Sequence, residues 1–140
     1  MPPKFKVSVV IFIIASFFHA DIEGQVLYFE NQKVGQLKSE GKLYLSGRWV
    51  GEFRESGQVY LQGRRVGQIR SNNTFYSGGR KVGELRSGGS VYKGGRRVGQ
   101  IRSNGTIYRE GRVIGRVGSS FSEPEIAAIY FFYFREILEK

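Results

Sequence analysis

From residue 25 to residue 120 the chain alternates short apolar stretches with Gly, Asn and charged residues on a fixed beat. Tyr recurs at 28, 44, 60, 76, 92 and 108, and a Val-Gly or Ile-Gly pair ends at 35, 51, 67, 83, 99 and 115, sixteen residues apart each time. The copies read QVLYFENQKVGQLKSE, GKLYLSGRWVGEFRES, GQVYLQGRRVGQIRSN, NTFYSGGRKVGELRSG, GSVYKGGRRVGQIRSN and GTIYREGRVIGRVGSS, without an insertion. The residue before Tyr is always apolar (Leu27, Leu43, Val59, Phe75, Val91, Ile107). So are the residue before the invariant Gly and the residue two after it (Leu37, Phe53, Ile69, Leu85, Ile101, Val117). These columns are the expected core.

Each copy predicts one β-hairpin with strands of about four to six residues. Two Gly or Asn columns mark turns: one follows the Tyr strand (Asn31, Gly47, Gly63, Gly79, Gly95, Gly111), and the other is the SNGT-like link to the next copy. Both suit tight hairpin geometry. The invariant Gly lies inside the second strand. The apolar residues around it are three apart, so strict alternation would send them to opposite faces. Two readings stay open: a bulge at the Gly that resets the period, or a strand buried on both faces. An isolated hairpin is marginal in water, so neighbours must supply contacts. Twelve such strands stack as an open solenoid or close into a ring. Closure is the expectation, because neither end carries a charged or Pro-broken capping copy to protect an edge.

After Ser120 the beat gives way to FSEPEIAAIYFFYFREILEK. Ser122 with Glu125 forms a capping-box pattern, and Pro124 fits a first helical turn. Ile126 to Phe134 is apolar or aromatic throughout. That run is too short to span a membrane and lacks the basic face of helices that lie on one, so a helix packed across the ring's centre is expected.

The N-terminus, MPPKFKVSVVIFIIASFFHAD, has Lys4 and Lys6, an apolar run from Val7 to Phe18, and Ala20 before the first acidic residue. These are the parts of a secretory signal peptide, with cleavage expected after Ala20; an uncleaved anchor is the alternative. No Cys follows the run, which excludes a bacterial lipoprotein anchor. The expected organisation is a signal peptide over 1–20, a hairpin-repeat domain over 21–120, and a helix over 121–140 completing that domain. The mature chain would be exported to the periplasm or cell exterior, with no transmembrane span.

Composition narrows the chemistry. Twenty Gly, eight Tyr and eleven Phe against three Pro and one Met fit an all-β chain rich in turns. There is no Cys, and the one His, His19, falls in the signal segment. Thiolate or imidazole metal sites, Cys nucleophiles and His-based triads are therefore closed to the mature chain. No cofactor or metal is expected.

The tandem Y-x-x-G-x-x-V-G-x-I hairpins, the exported N-terminus and the final Ile-Ala-Ala-Ile-Tyr-Phe-Phe segment resemble the beta-flower proteins, in particular the five-fold beta-flower group of Bacteroidota. The resemblance covers residues 25 to about 138. It implies hairpin petals arranged radially around a centre, in secreted bacterial proteins of unknown activity, and it brings no catalytic residues. This chain has six motifs where the name suggests five-fold symmetry: either the first copy closes the ring with the last, or the ring has six petals.

Charge supplies the strongest candidate chemistry. Residues 25–120 hold 18 basic and 6 acidic residues, net +12. Arg48, Arg64, Arg80, Arg96 and Arg112 share a turn column, joined by Arg65, Lys81 and Arg97; Arg54, Arg70, Arg86 and Arg102, with Lys38, share the column after the second strand. Such a field draws anions without specifying which. Anionic polysaccharide, lipopolysaccharide or a lipid surface are the expected partners; nucleic acid is not favoured. Tyr44, Tyr60, Tyr76, Tyr92 and Tyr108 could stack on sugars or bases, although a repeated Tyr more often packs structurally. Glu52, Glu84 and Glu110 each stand near arginines. Glu52 and Glu84 lie two copies apart, which favours ion pairing over a glycosidase pair. The expectation is a non-enzymatic binding module or scaffold of the cell envelope, with a purely structural or assembly subunit as the alternative.

Overall fold

A computed structural model describes residues 25–118 and 120–140. The expected signal segment lies outside these residues. Twelve antiparallel strands follow one another around a closed ring: β1 (Gln25–Phe29), β2 (Gln32–Leu37), β3 (Lys42–Leu45), β4 (Arg48–Phe53), β5 (Gln58–Leu61), β6 (Arg64–Ile69), β7 (Thr74–Ser77), β8 (Arg80–Arg86), β9 (Ser90–Lys93), β10 (Arg96–Ile101), β11 (Thr106–Arg109) and β12 (Arg112–Val117). Each strand pairs with its neighbours in sequence. β1 meets β12 through Leu27↔Val117 and Phe29↔Gly115, so no sheet edge is left open.

The strands of each hairpin join through a two-residue loop with both residues at positive φ, as in Ser46 (52°) and Gly47 (76°). That is the type I′ turn, whose twist matches the twist of the flanking strands. Links between hairpins are a residue or two longer and form the opposite rim, as in Arg102–Gly105, where the Gly105 N–H donates to the Arg102 carbonyl at 2.9 Å.

The open question about the invariant Gly resolves as a bulge. In β3–β4, Leu43 faces Gly51 and Tyr44 faces Trp49, so Val50 is the extra residue. The same skip falls at Val34, Val66, Val82, Val98 and Ile114. The inserted residue is thus the one before the Gly, which lets its side chain pack toward the core without reversing the rest of the strand. The column before Tyr is fully buried, at 0% exposure from Leu27 through Ile107.

The C-terminal segment fills the centre. It runs from the rim of inter-hairpin links, where β12 ends, toward the rim of hairpin tips. It comprises α1 (Glu123–Ala127), a π-helical turn (Ala128–Phe132) and α2 (Arg135–Leu138). Pro124 occupies the first turn as expected, but Ser122 makes no side-chain cap hydrogen bond. The π turn shapes the core. Its i→i+5 bond, from the Tyr133 N–H to the Ala128 carbonyl at 2.9 Å, makes the turn wider than the 3.6 residues of an α-helix.

Five successive side chains therefore splay toward five successive hairpins. Tyr130 lies over Gly115, Phe131 over Gly99, Phe132 over Gly83, Tyr133 over Gly67 and Phe134 over Gly51. At each place the Gly exposes backbone, and the ring occupies the space of the missing side chain. Two of the five rings carry hydroxyls and use them. Tyr130 donates to the Tyr28 carbonyl at 2.7 Å, and Tyr133 to the Tyr76 carbonyl at 2.7 Å. Gly35 receives no ring from the helix; Leu45 and the Tyr44 backbone close over it instead.

Candidate functional site: the outer wall

Because the residue before each Tyr points inward, the Tyr column stands on the outer wall. Across one strand boundary each Tyr but Tyr28, which faces Arg116, faces an acid or amide, as in Glu52↔Tyr60, Gln68↔Tyr76, Glu84↔Tyr92 and Gln100↔Tyr108. Across the other it faces a residue of the bulged strand: Trp49 opposite Tyr44, Arg65 opposite Tyr60, Lys81 opposite Tyr76 and Arg97 opposite Tyr92. The bulge brings those two flanking columns into reach of each other. Arg65 donates to Gln68 at 3.4 Å, Lys81 to Glu84 at 2.6 Å, and Arg97 to Gln100.

Two sets of sequence-predicted residues form one array. The guanidinium groups of Arg54, Arg70, Arg86 and Arg102 fold back over the rings of Tyr60, Tyr76, Tyr92 and Tyr108, at 3.8, 3.8, 3.7 and 4.8 Å from the ring centroids. Lys38 does the same over Tyr44 at 4.8 Å. For Tyr28 the equivalent position is Gly118, and Arg116 takes the place at 3.9 Å. At exposed sites each such contact contributes about 0.5–1 kcal/mol. More usefully for binding, it holds a flexible cation in one place.

The other arginine column lies elsewhere. Arg48, Arg64, Arg80, Arg96 and Arg112 open their strands just past the hairpin tips and are exposed on the tip rim. Arg112 comes within 3.9 Å of Glu30. The structure thus separates two basic belts that the sequence placed side by side. At the mouth of the tip rim Arg109 and Arg135 converge on Glu139 at 2.6 and 3.2 Å. The hydrogen bond from Arg109, helped by Arg135, holds that carboxyl below its usual range.

Two of the three notable carboxylates, Glu52 and Glu84, are paired. Glu84 lies 2.6 Å from both Lys81 and Arg86, and hydrogen bonds from these two cations bring its pKa down to about 2. Glu52 sits 3.6 Å from Arg54. Glu110 occupies a hairpin-tip turn at φ 50°.

Between neighbouring hairpins the outer wall is grooved. One groove, of about 260 Å³, has the Val50–Gly51 bulge at its base and Trp49, Glu52, Arg54 and Tyr60 around it. A second, of about 370 Å³, repeats it one copy on, with Arg65, Gln68, Arg70 and Tyr76 at the matching positions. Trp49 is 55% exposed, its indole N–H donates to the Gly51 carbonyl at 2.9 Å, and the Lys42 ammonium sits 5.0 Å from its ring. The sequence reading passed over Trp49. The signal was available: it is the only Trp in the chain, in a column that is otherwise mostly basic.

No helix among the described residues is long and apolar enough to cross a membrane. Compared with protein-family models, with curated proteins and with solved structures, the chain matches none.

Proposed function

We propose that the chain is an exported, non-enzymatic binding module of the bacterial cell envelope, built as a six-petalled beta-flower, whose basic wall meets an anionic partner: a glycan, lipopolysaccharide or a lipid head group. One observation carries this reading. Arg54, Arg70, Arg86 and Arg102 are exposed, yet each is stacked on a Tyr. A charge kept only for solubility has no need of a fixed position. A docked guanidinium has lost rotamer freedom before any ligand arrives, which lowers the cost of binding, and its fork of donors matches carboxylate and phosphate.

The test is a titration of the purified protein against lipopolysaccharide, anionic and neutral vesicles, acidic and neutral polysaccharides, and DNA, from low to physiological salt. The expected result is saturable binding to one class of polyanion that survives physiological salt and weakens in an Arg70→Ala/Arg86→Ala variant that still folds. Binding to every polyanion that vanishes as salt rises is the mark of a general field alone, and it overturns the reading in favour of a structural or assembly subunit. So does no binding at all.

A further inference from the structure

The two grooves are built alike but differ at two matching positions, Trp49 against Arg65 and Glu52 against Gln68, and that difference is chemical. In the 370 Å³ groove Arg65 and Arg70 stand with the neutral Gln68, leaving two cations in excess. In the 260 Å³ groove Trp49 replaces the basic residue and Glu52 replaces the amide, so the Glu52–Arg54 pair, 3.6 Å apart, cancels and Lys42, 5.0 Å from the indole ring, is the one cation left beside it. An exposed aromatic plane, an acceptor and a donor now surround one small hollow.

We infer that the Trp49 groove is a subsite for a single sugar ring, and that the cationic groove beside it takes the acid group of the next residues, so that the wall binds an acidic polysaccharide lying around the ring. This rests on the anionic-partner reading and names the class of partner. Three observations carry it. First, the indole is held before binding: its N–H donates to the Gly51 carbonyl at 2.9 Å, and the Lys42 ammonium sits 5.0 Å from its ring. A held aromatic plane that is 55% exposed is what the C–H face of a pyranose stacks on, and Trp is favoured where one end of a site is apolar and the other wet.

Second, the size fits. About 260 Å³ lies just below the roughly 300–1,000 Å³ of pockets for drug-sized ligands. It holds one ring rather than an extended molecule. Glu52 and Arg54 at its side can accept from and donate to hydroxyls.

Third, the two grooves are two strands apart around the wall, about 10 Å at ordinary strand spacing, a step that a disaccharide covers. A chain seated on Trp49 therefore delivers its next acid group to Arg65 and Arg70. A lipid head group has no reason to need the less basic, aromatic groove, and phosphate alone has no face to stack.

Trp49 is the only Trp, so its emission reports this groove and nothing else. The experiment titrates the full chain with an oligogalacturonate, with a cello-oligosaccharide as the neutral comparator and polyphosphate as the sugar-free polyanion, reading Trp emission and calorimetric affinity together. Trp49→Ala, Trp49→Phe and Arg65→Ala/Arg70→Ala are compared, with circular dichroism checking the fold. The expected result is a saturable emission change with the oligogalacturonate, an affinity weakened about tenfold or more by Trp49→Ala, much less by Trp49→Phe, and weakened again in the double Arg variant. Polyphosphate should leave the emission unchanged.

Oligogalacturonate binding that leaves the emission still and is indifferent to Trp49→Ala overturns the subsite and leaves the anionic-partner reading standing. An equal response to the neutral oligosaccharide overturns the requirement for acid groups. If no polyanion binds, both readings fall together.

Discussion

Replacing Gly99 by Ala tests the idea that the helix and the ring are fitted through missing side chains. A Cβ at Gly99 would stand 2.6 Å from the Tyr108 backbone carbonyl oxygen and would run into the Phe131 ring. Neither partner is the free end of a flexible side chain. The carbonyl belongs to the barrel ladder, and Phe131 is buried. Overpacking of this kind costs about 1–3 kcal/mol. With two such contacts the upper end applies, and the lower chain entropy of Ala returns about 0.4–1 kcal/mol, so the net loss should be about 2 kcal/mol.

Phe131→Ala should cost about 3–5 kcal/mol as a large-to-small core change. In the double variant the collision with the ring disappears while the collision with the Tyr108 carbonyl remains. The two losses should then fall short of additivity by about 1 kcal/mol, within the range seen for residues in contact. Gly35 is the internal control: its substitution also meets backbone, the Tyr44 carbonyl, and Leu45, but no ring from the helix. Gly35→Ala combined with Phe131→Ala should be additive within about 0.5 kcal/mol. Guanidinium unfolding followed by far-ultraviolet circular dichroism, with m-values checked for constancy, reads all five variants. A cost below about 0.5 kcal/mol for Gly99→Ala, which is the range of neutral surface changes, or full additivity with Phe131→Ala, refutes the fitted-ring argument.

Three further outcomes are expected. Burial pushes the Tyr133 pKa up to about 12 and that of Tyr130 higher still; because both are raised in the folded state, stability should hold below pH 10 and fall as pH rises toward 12, and Tyr133→Phe should flatten part of that slope in thermal melts. Gln62 is held at φ 50° in the first position of a type I′ turn, so Gln62→Asn should stabilise by about 0.5 kcal/mol in denaturant titration, because Asn tolerates that region and Gln does not; an unchanged midpoint contradicts it. Truncation after Gly118 removes Ile126, Ile129, Tyr130, Phe131, Phe134 and Leu138 from the core, and at about 1.5–3 kcal/mol each that matches or exceeds the whole stability of a domain, about 5–15 kcal/mol; the shortened chain should show no cooperative melt.

The repeating unit can be read from the residues alone. Period, turn positions and core columns were legible because they are local: a Gly or Asn at a turn, an apolar residue every second place, and Tyr at one fixed column each follow from how one hairpin folds. Closure was legible too, since an unbroken meander without protected ends leaves few alternatives. The basic columns were visible as a pattern, and so was the need to bury the apolar run from Ile126 to Phe134.

What those columns do together depends on how the hairpins meet in space. That Val50 rather than Gly51 is the bulged residue depends on cross-strand register, which no single strand specifies. That Tyr130 to Phe134 spread over five hairpins depends on a π turn, chosen because the ring around it offers a bare Gly at each place, and ordinary helix periodicity gives no hint of it. The tip arginines and the arginines stacked on Tyr fall in neighbouring stretches of sequence but on different belts of the wall, because the strand between them carries the chain from one rim to the other. Trp49 looked like one irregular letter in a repeat until the wall placed it over a groove with Glu52, Arg54 and Tyr60. The pairing of β1 with β12 joins residues from opposite ends of the repeats, such as Leu27 and Val117, and exists only once the ring has closed.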